Sequence, residues 1–154
     1  MTALKRMRIL SLALTLTMLF TVIMAFPSSV SAADSDYPQS FNATYSYGTI
    51  GGKSTTQKTG TTLKGITKST FGTTSADILT AKAEMGYYRR NTITGALEQG
   101  GKTASATVNM KREAQAEAID IHQFACNKLW VKGTHVFVKG SNSKTNYTYC
   151  AQTI

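Results

Sequence analysis

Residues 103–118 read TASATVNMKREAQAEA. Ala104, Ala106, Val108, Met110, Ala114, Ala116 and Ala118 fill every even position of this stretch except Arg112, and every odd position from Thr103 to Glu117 is polar. Successive side chains of extended backbone point to opposite sides, so a period of two marks a strand that buries one face. The competing reading is a helix over about 111–125, favoured by the propensities of Ala, Glu, Gln, Lys and Arg. Its stripe would use Ala114, Ala118, Ile121 and Ala125 and leave Ala116 and Ile119 badly placed, so strands are expected. A single strand over this whole run would be long. A reversal at Lys111-Arg112-Glu113 would pair Met110 with Ala114, Val108 with Ala116 and Ala106 with Ala118, keeping the apolar set on one face. With alanine making so many inner contacts, a second layer must come close to this face.

Upstream, a hairpin through Glu98-Gln99-Gly100-Gly101 would set Ile93 and Gly95 across from Ala106 and Ala104. Downstream, strands are expected near 127–132, 134–139 and 145–151, with a turn at Gly140 to Ser143 and a tight turn or bulge at Lys132-Gly133. Residues 48–74, GTIGGKSTTQKTGTTLKGITKSTFGTT, are so rich in Thr, Gly, Ser and Lys that no continuous apolar face can be drawn. They are expected as edge strands and loops, partly flexible. Residues 33–47 carry Tyr37, Phe41, Tyr45 and Tyr47, either docking a first strand or forming a loose arm. The fold class expected is mostly β, a small antiparallel β-sandwich or barrel-like domain; an α+β fold with the 111–125 helix is the alternative.

The N-terminus has a basic start (MTALKRMR), a long apolar run and a small-residue exit (PSSVSA), the three parts of a secretory signal peptide. Cleavage is expected after Ala32, giving a single mature domain over 33–154 and an extracellular location. Cys126 and Cys150 are the only cysteines, and an oxidising compartment favours a disulfide between them. A flat meander through Gly133 would hold them ~17 Å apart, too far for a bridge. The bridge therefore requires a corner near Gly133, or Cys126 on another layer.

The net charge is +9, and about +6 once the leader's Lys5, Arg6 and Arg8 are removed. Between Asp36 and Asp77 there is no acidic residue, while Lys53, Lys58, Lys64 and Lys68 lie in the gap. Such a segment attracts anionic polymers over long range. Lys128, Trp130 and Lys132 share a strand face by parity; with Arg89, Arg90 and Lys139 they make up the expected binding residues, cations mixed with rings that stack on sugars or bases. His122, His135 and Asp120 are the candidates for acid–base chemistry, with Asp120 and His122 on one side of a strand. As His135 alternates with Val136 and Val138, it reads first as a strand residue. The chain has no GxSxG elbow, phosphate-binding glycine loop, HExxH or CxxC spacing, so those hydrolases, nucleotide enzymes and metal sites are not expected, and no cofactor is implied. These features point to non-enzymatic binding of an anionic extracellular polymer or membrane surface, with antimicrobial or toxin-like action as one form. A secreted hydrolase such as a small nuclease, with nucleic acid as its partner, is the alternative.

Overall fold

A computed structural model describes residues 36–72, 74–121 and 125–154. Eight strands run through them: β1 (Ser40–Tyr45), β2 (Gly48–Thr59), β3 (Thr62–Phe71), β4 (Ala76–Arg90), β5 (Leu97–Lys111), β6 (Glu113–Ile121), β7 (Cys126–Lys139) and β8 (Asn142–Thr153). They form two four-stranded antiparallel sheets, β1-β2-β3-β6 and β5-β4-β7-β8. The apolar core between them includes Ile50, Leu63, Phe71, Leu79, Met85, Leu129, Val131 and Phe137. The mostly β, sandwich-like expectation holds, and residues 113–121 form a strand rather than part of a helix.

Ala114, Ala116 and Ala118 are buried as the alternation requires. The register differs, however. β5 and β6 do not pair; β5 lies beside β4 in one sheet and β6 beside β3 in the other. The chain passes between sheets at Arg112, with Met110 at φ 53°. Parity cannot distinguish a hairpin from a crossing, because both keep the even residues facing the core. The β4–β5 reversal also lies elsewhere, over residues 91–96, where Asn91 Oδ1 accepts from the amides of Ile93 and Thr94. Gly100 and Gly101 instead sit within β5, opposite Tyr87 and Gly86.

Within residues 48–74, expected as edge strands and loops, β2 and β3 are the two interior strands of their sheet. Their inward positions include Ser54, Thr67 and Ser69, each fully buried. The interior here is polar, which is why no apolar stripe marks these strands. Phe41 docks β1 inward, its ring edge-on to His135 and Phe137 at centroid distances of 5.2 and 6.2 Å.

The expected disulfide is absent. β7 runs unbroken through Gly133, which faces Ala83 on one side and Thr148 on the other. The turn with β8 falls after Lys139, setting Cys150 opposite Val131, while Cys126 lies opposite Arg89. Five residues of strand, ~17 Å, then separate the cysteines along the sheet, and both are free thiols. The corner inferred for Gly133 is at Arg112 instead. Titration of unreduced protein in denaturant is expected to count two thiols per chain; none would contradict this register.

Candidate binding face and the buried histidine

In β7 the odd residues Leu129, Val131, Gly133, His135 and Phe137 face the core. The even residues Lys128, Trp130 and Lys132 therefore lie together on the outer face, as parity implied. Across from them on β4 stand Tyr88, Gly86 and Glu84. Across on β8, Tyr147 and Tyr149 share this outer side with Ala151, opposite Thr134, Lys132 and Trp130 respectively.

Trp130 is only 8 % exposed, so its ring lies covered. Its indole lies over Gly86, where an added Cβ would collide with Cζ2 and Cε2, and it stacks on Tyr149 at 6.4 Å and 21°. A glycine in mid-strand weakens a sheet; here its bareness makes the bed for the indole. Trp130 Nε1 is buried without a hydrogen-bond partner. The ammonium of Lys132 sits 5.9 Å from the Tyr37 ring centroid and 5.7 Å from that of Tyr147, and those two rings are 5.2 Å apart. A lysine held over two tyrosines is oriented by attraction to the ring faces. The rings offered to a partner are thus Tyr147, 38 % exposed, and the half-buried Tyr37, Tyr88 and Tyr149. Parity in the run NYTYC pairs Tyr147 with Tyr149, but their juxtaposition with Lys132 and Trp130 depends on the β7–β8 register. Tyr37 arrives through the chain before β1, anchored where the Tyr149 amide donates to the Pro38 carbonyl at 3.0 Å.

The other expected binding cations are dispersed. Arg89 forms an ion pair with Glu98, 2.5 Å from Nη2 to Oε2, while Nε donates to the same oxygen at 2.6 Å. Together with Asn91, Arg89 holds the Glu98 carboxyl below its usual range. Lys139 pairs with Asp77 at 3.0 Å. Asp77 also accepts from the Gly140 amide at 2.7 Å, so its carboxyl is held low first by that amide and then by Lys139. These two arginine and lysine contacts brace the strand ends. Arg90 is exposed on the outer side of β4, opposite Leu97.

His135 is fully buried. Its Nδ1 lies 2.9 Å from Ser69 Oγ, and its Nε2 lies 2.8 Å from Thr148 Oγ1. Ser69 Oγ donates its one proton to the Thr80 carbonyl at 2.8 Å, so toward the histidine it must accept, and Nδ1 carries the hydrogen. Burial pushes the imidazole pKa down to about 4, so Nε2 is bare and accepts from Thr148. Thr148 Oγ1 in turn accepts from Ser54 Oγ at 2.5 Å, and Ser54 Oγ from Thr67 Oγ1 at 3.2 Å. One direction of donation runs without conflict from Thr67 through Ser54 and Thr148 to His135, then through Ser69 to a backbone carbonyl. Every hydroxyl proton in the chain is used, which offsets the cost of burying the groups. A substrate has no route to this ring, so His135 serves as a structural link between β2, β3, β4, β7 and β8.

Asp120 does not face His135 either. Its Oδ2 accepts from the Tyr87 hydroxyl at 2.7 Å, and burial followed by that hydrogen bond pushes the Tyr87 pKa up to about 12. His122 lies outside the described residues. Burial also pushes the Cys126 thiol up, away from the thiolate form that nucleophilic chemistry uses. Among the described residues no three His, Cys, Asp or Glu side chains come together in a way that could hold a metal ion. Compared with models of known protein families and with curated proteins, the chain matches none.

Proposed function

We propose that this is a secreted protein that binds an anionic extracellular or cell-surface polymer without catalysis, using the outer face of β4, β7 and β8. The carrying observation is the side-by-side placement of Lys128 and Lys132 with Tyr37, Tyr88, Tyr147 and Tyr149 on one sheet face. Ammonium groups meet sulfates, carboxylates or phosphates, and the tyrosine rings offer flat surfaces to the repeating units between them. Lys82 and Glu84, on the same face, pair at 2.7 Å, and Lys128, Lys132 and Arg90 add cations to it. The net charge of about +6 that remains without the leader's Lys5, Arg6 and Arg8 adds long-range attraction, and the signal-like leader supports an extracellular setting.

Binding of the protein to a sulfated polysaccharide, followed across a salt series, tests this reading. The expected result is affinity that falls as salt rises, with Lys128→Gln/Lys132→Gln roughly tenfold weaker at low salt and the difference narrowing at high salt. Salt-independent binding, or a double variant that binds like the parent, would overturn it.

A further inference from the structure

The first sheet carries an open cleft of about 630 Å³ on its side away from the tyrosine face, lined by Asn42, Gly51, Thr70, Gly72, Arg112 and Glu113, among others. Three observations single it out. β2 contains two adjacent glycines that face opposite ways. The inward one, Gly52, is accounted for by packing, since a Cβ there would strike Phe41 and lie 2.7 Å from His135. At Gly51, facing outward, a Cβ would lie 2.6 Å from the Thr70 hydroxyl, with the Phe41 carbonyl and the Asn42 side chain next nearest. The missing side chain lets the Thr70 hydroxyl and the Asn42 side chain close over the buried Gly51 backbone, and these three residues line the cleft together; a strand glycine can mark close approach by another group.

The second observation is Arg112. Its Nε donates to the Gly72 carbonyl at 2.8 Å and its own carbonyl accepts from the Phe71 amide at 2.8 Å, fixing the guanidinium at the cleft. Neither terminal nitrogen has a partner among the described residues. Two parallel donors on a held plane match the two oxygens of a carboxylate or sulfate. The third is the backbone that delivers this arginine. Met110 is the only non-glycine with positive φ among the described residues, at 53°. Such a conformation is unfavourable for a side-chain-bearing residue, and it persists where the surroundings impose it, often at ligand sites.

Around the arginine, Asn42 and Thr70 offer side-chain groups that make no hydrogen bond within the described structure, suited to ring hydroxyls. Glu113 is neutralised by Lys68 at 2.9 Å. Lys53, exposed and directly opposite Lys68, adds a cation two residues from Gly51. We infer that this cleft binds one acidic sugar unit, its carboxylate or sulfate on the Arg112 fork and its hydroxyls on Asn42 and Thr70. The site lies on the opposite sheet from the tyrosine face and does not depend on it.

The test is amide chemical-shift mapping of the 15N-labelled protein with glucuronate, glucose 6-sulfate, glucose and inorganic sulfate. Shifts at Gly51, Thr70 and Gly72 with either acidic sugar, absent with glucose and weaker with inorganic sulfate, are expected; the two acidic sugars tell carboxylate from sulfate ester. Arg112→Gln is expected to weaken binding at least tenfold and Arg112→Lys to restore little of it, since lysine lacks the fork. Gly51→Val, which leaves Arg112 in place but fills the floor and displaces the Thr70 hydroxyl, is expected to abolish the shifts. The Lys128→Gln/Lys132→Gln variant should keep them, separating this site from the other face. No shifts, equal shifts with glucose or inorganic sulfate, or shifts that survive both Arg112→Gln and Gly51→Val would overturn the inference.

Discussion

Replacing Gly133 with alanine is expected to lower folding stability by about 3 kcal/mol, and replacing it with valine by more. An added Cβ would collide with Ser54 Oγ and come within 2.5 Å of Thr148 Oγ1 and 2.9 Å of Thr67 Cγ2. All three neighbours are fully buried. None can retreat without breaking the hydroxyl chain that ends on His135. The effect therefore has two parts, overpacking at ~1–3 kcal/mol and a buried hydroxyl left unpaired at ~1–3 kcal/mol. As a domain of this size has a total stability of only ~5–15 kcal/mol, the valine variant is expected to be largely unfolded. Denaturant unfolding measures this directly, with the alanine variant shifted to a lower midpoint at unchanged slope. Thr134→Ala, one residue along on the outer side of β7, is expected to change stability by less than ~1 kcal/mol. A Gly133→Ala protein as stable as the parent would mean that the hydroxyls do not meet where they are placed.

The second large effect is on acid stability. His135 has a folded pKa of about 4 against an ordinary value near 6.5, so between those limits the unfolded chain binds more protons than the folded one. Stability then rises with pH across this window; it is complete above ~6.5 and declines as pH falls, until the loss is full below about 4. A shift of this size corresponds to about 3 kcal/mol, and roughly 2 kcal/mol of it is lost between pH 7 and pH 5. The lowered carboxyls of Asp77 and Glu98 protonate at more acidic pH, and the His135→Gln variant separates the effect from that of the other histidine, His122. No carboxylate or ammonium offsets the burial. From the packed elements the ring meets Phe41, the bare backbone of Gly52, the Ser69 and Thr148 hydroxyls, and Ala81 and Asn146 at its paired positions. A proton on Nε2 would also turn Thr148 from donor to acceptor there, reversing Ser54 and leaving the Thr67 hydroxyl hydrogen without its acceptor. His135→Gln, whatever its stability at pH 7, is expected to show little change from pH 7 to pH 5. A parent protein equally flat over that interval would contradict the buried, neutral imidazole.

What the sequence disclosed follows from which residues carry the pattern. Where the inward positions are apolar, as at Ala114, Ala116 and Ala118 or Leu129, Val131 and Phe137, alternation located strands and their buried face. Along β2 and β3 the inward positions include Ser54, Thr67 and Ser69, and an alternation of polar with polar leaves no trace. The hydroxyl chain that makes those positions stable spans residues 54 to 148, so no local window contains it. Gly133 was legible as an unusual residue but with the wrong role. A glycine amid β-branched neighbours reads as a turn, whereas here it makes room for three side chains from other strands. The free thiols follow from the same point, since an unbroken β7 fixes the register that separates them.

The outer face was legible in part. Parity alone put Lys128, Trp130 and Lys132 on one side, because they lie on one strand. Tyr147 and Tyr149 depended on the β7–β8 register, and Tyr37 on a crossing of the N-terminal segment that no periodicity records. Arg89 and Lys139 look like binding cations in composition, but Glu98 and Asp77 are brought to them by strand pairing and the turns. Arg112 broke the even-numbered apolar series, and that break is the crossing between sheets.

The central claim is that the histidine belongs to a closed chain of interior hydrogen bonds, leaving ligand chemistry to the outer faces of the sheets. Nitrogen-15 NMR of the His135 ring tests it most directly. The expected spectrum shows hydrogen on Nδ1 and a bare Nε2 throughout pH 7 to 5, with protonation only near pH 4. A ring that titrates near 6.5, or carries its hydrogen on Nε2, would contradict it.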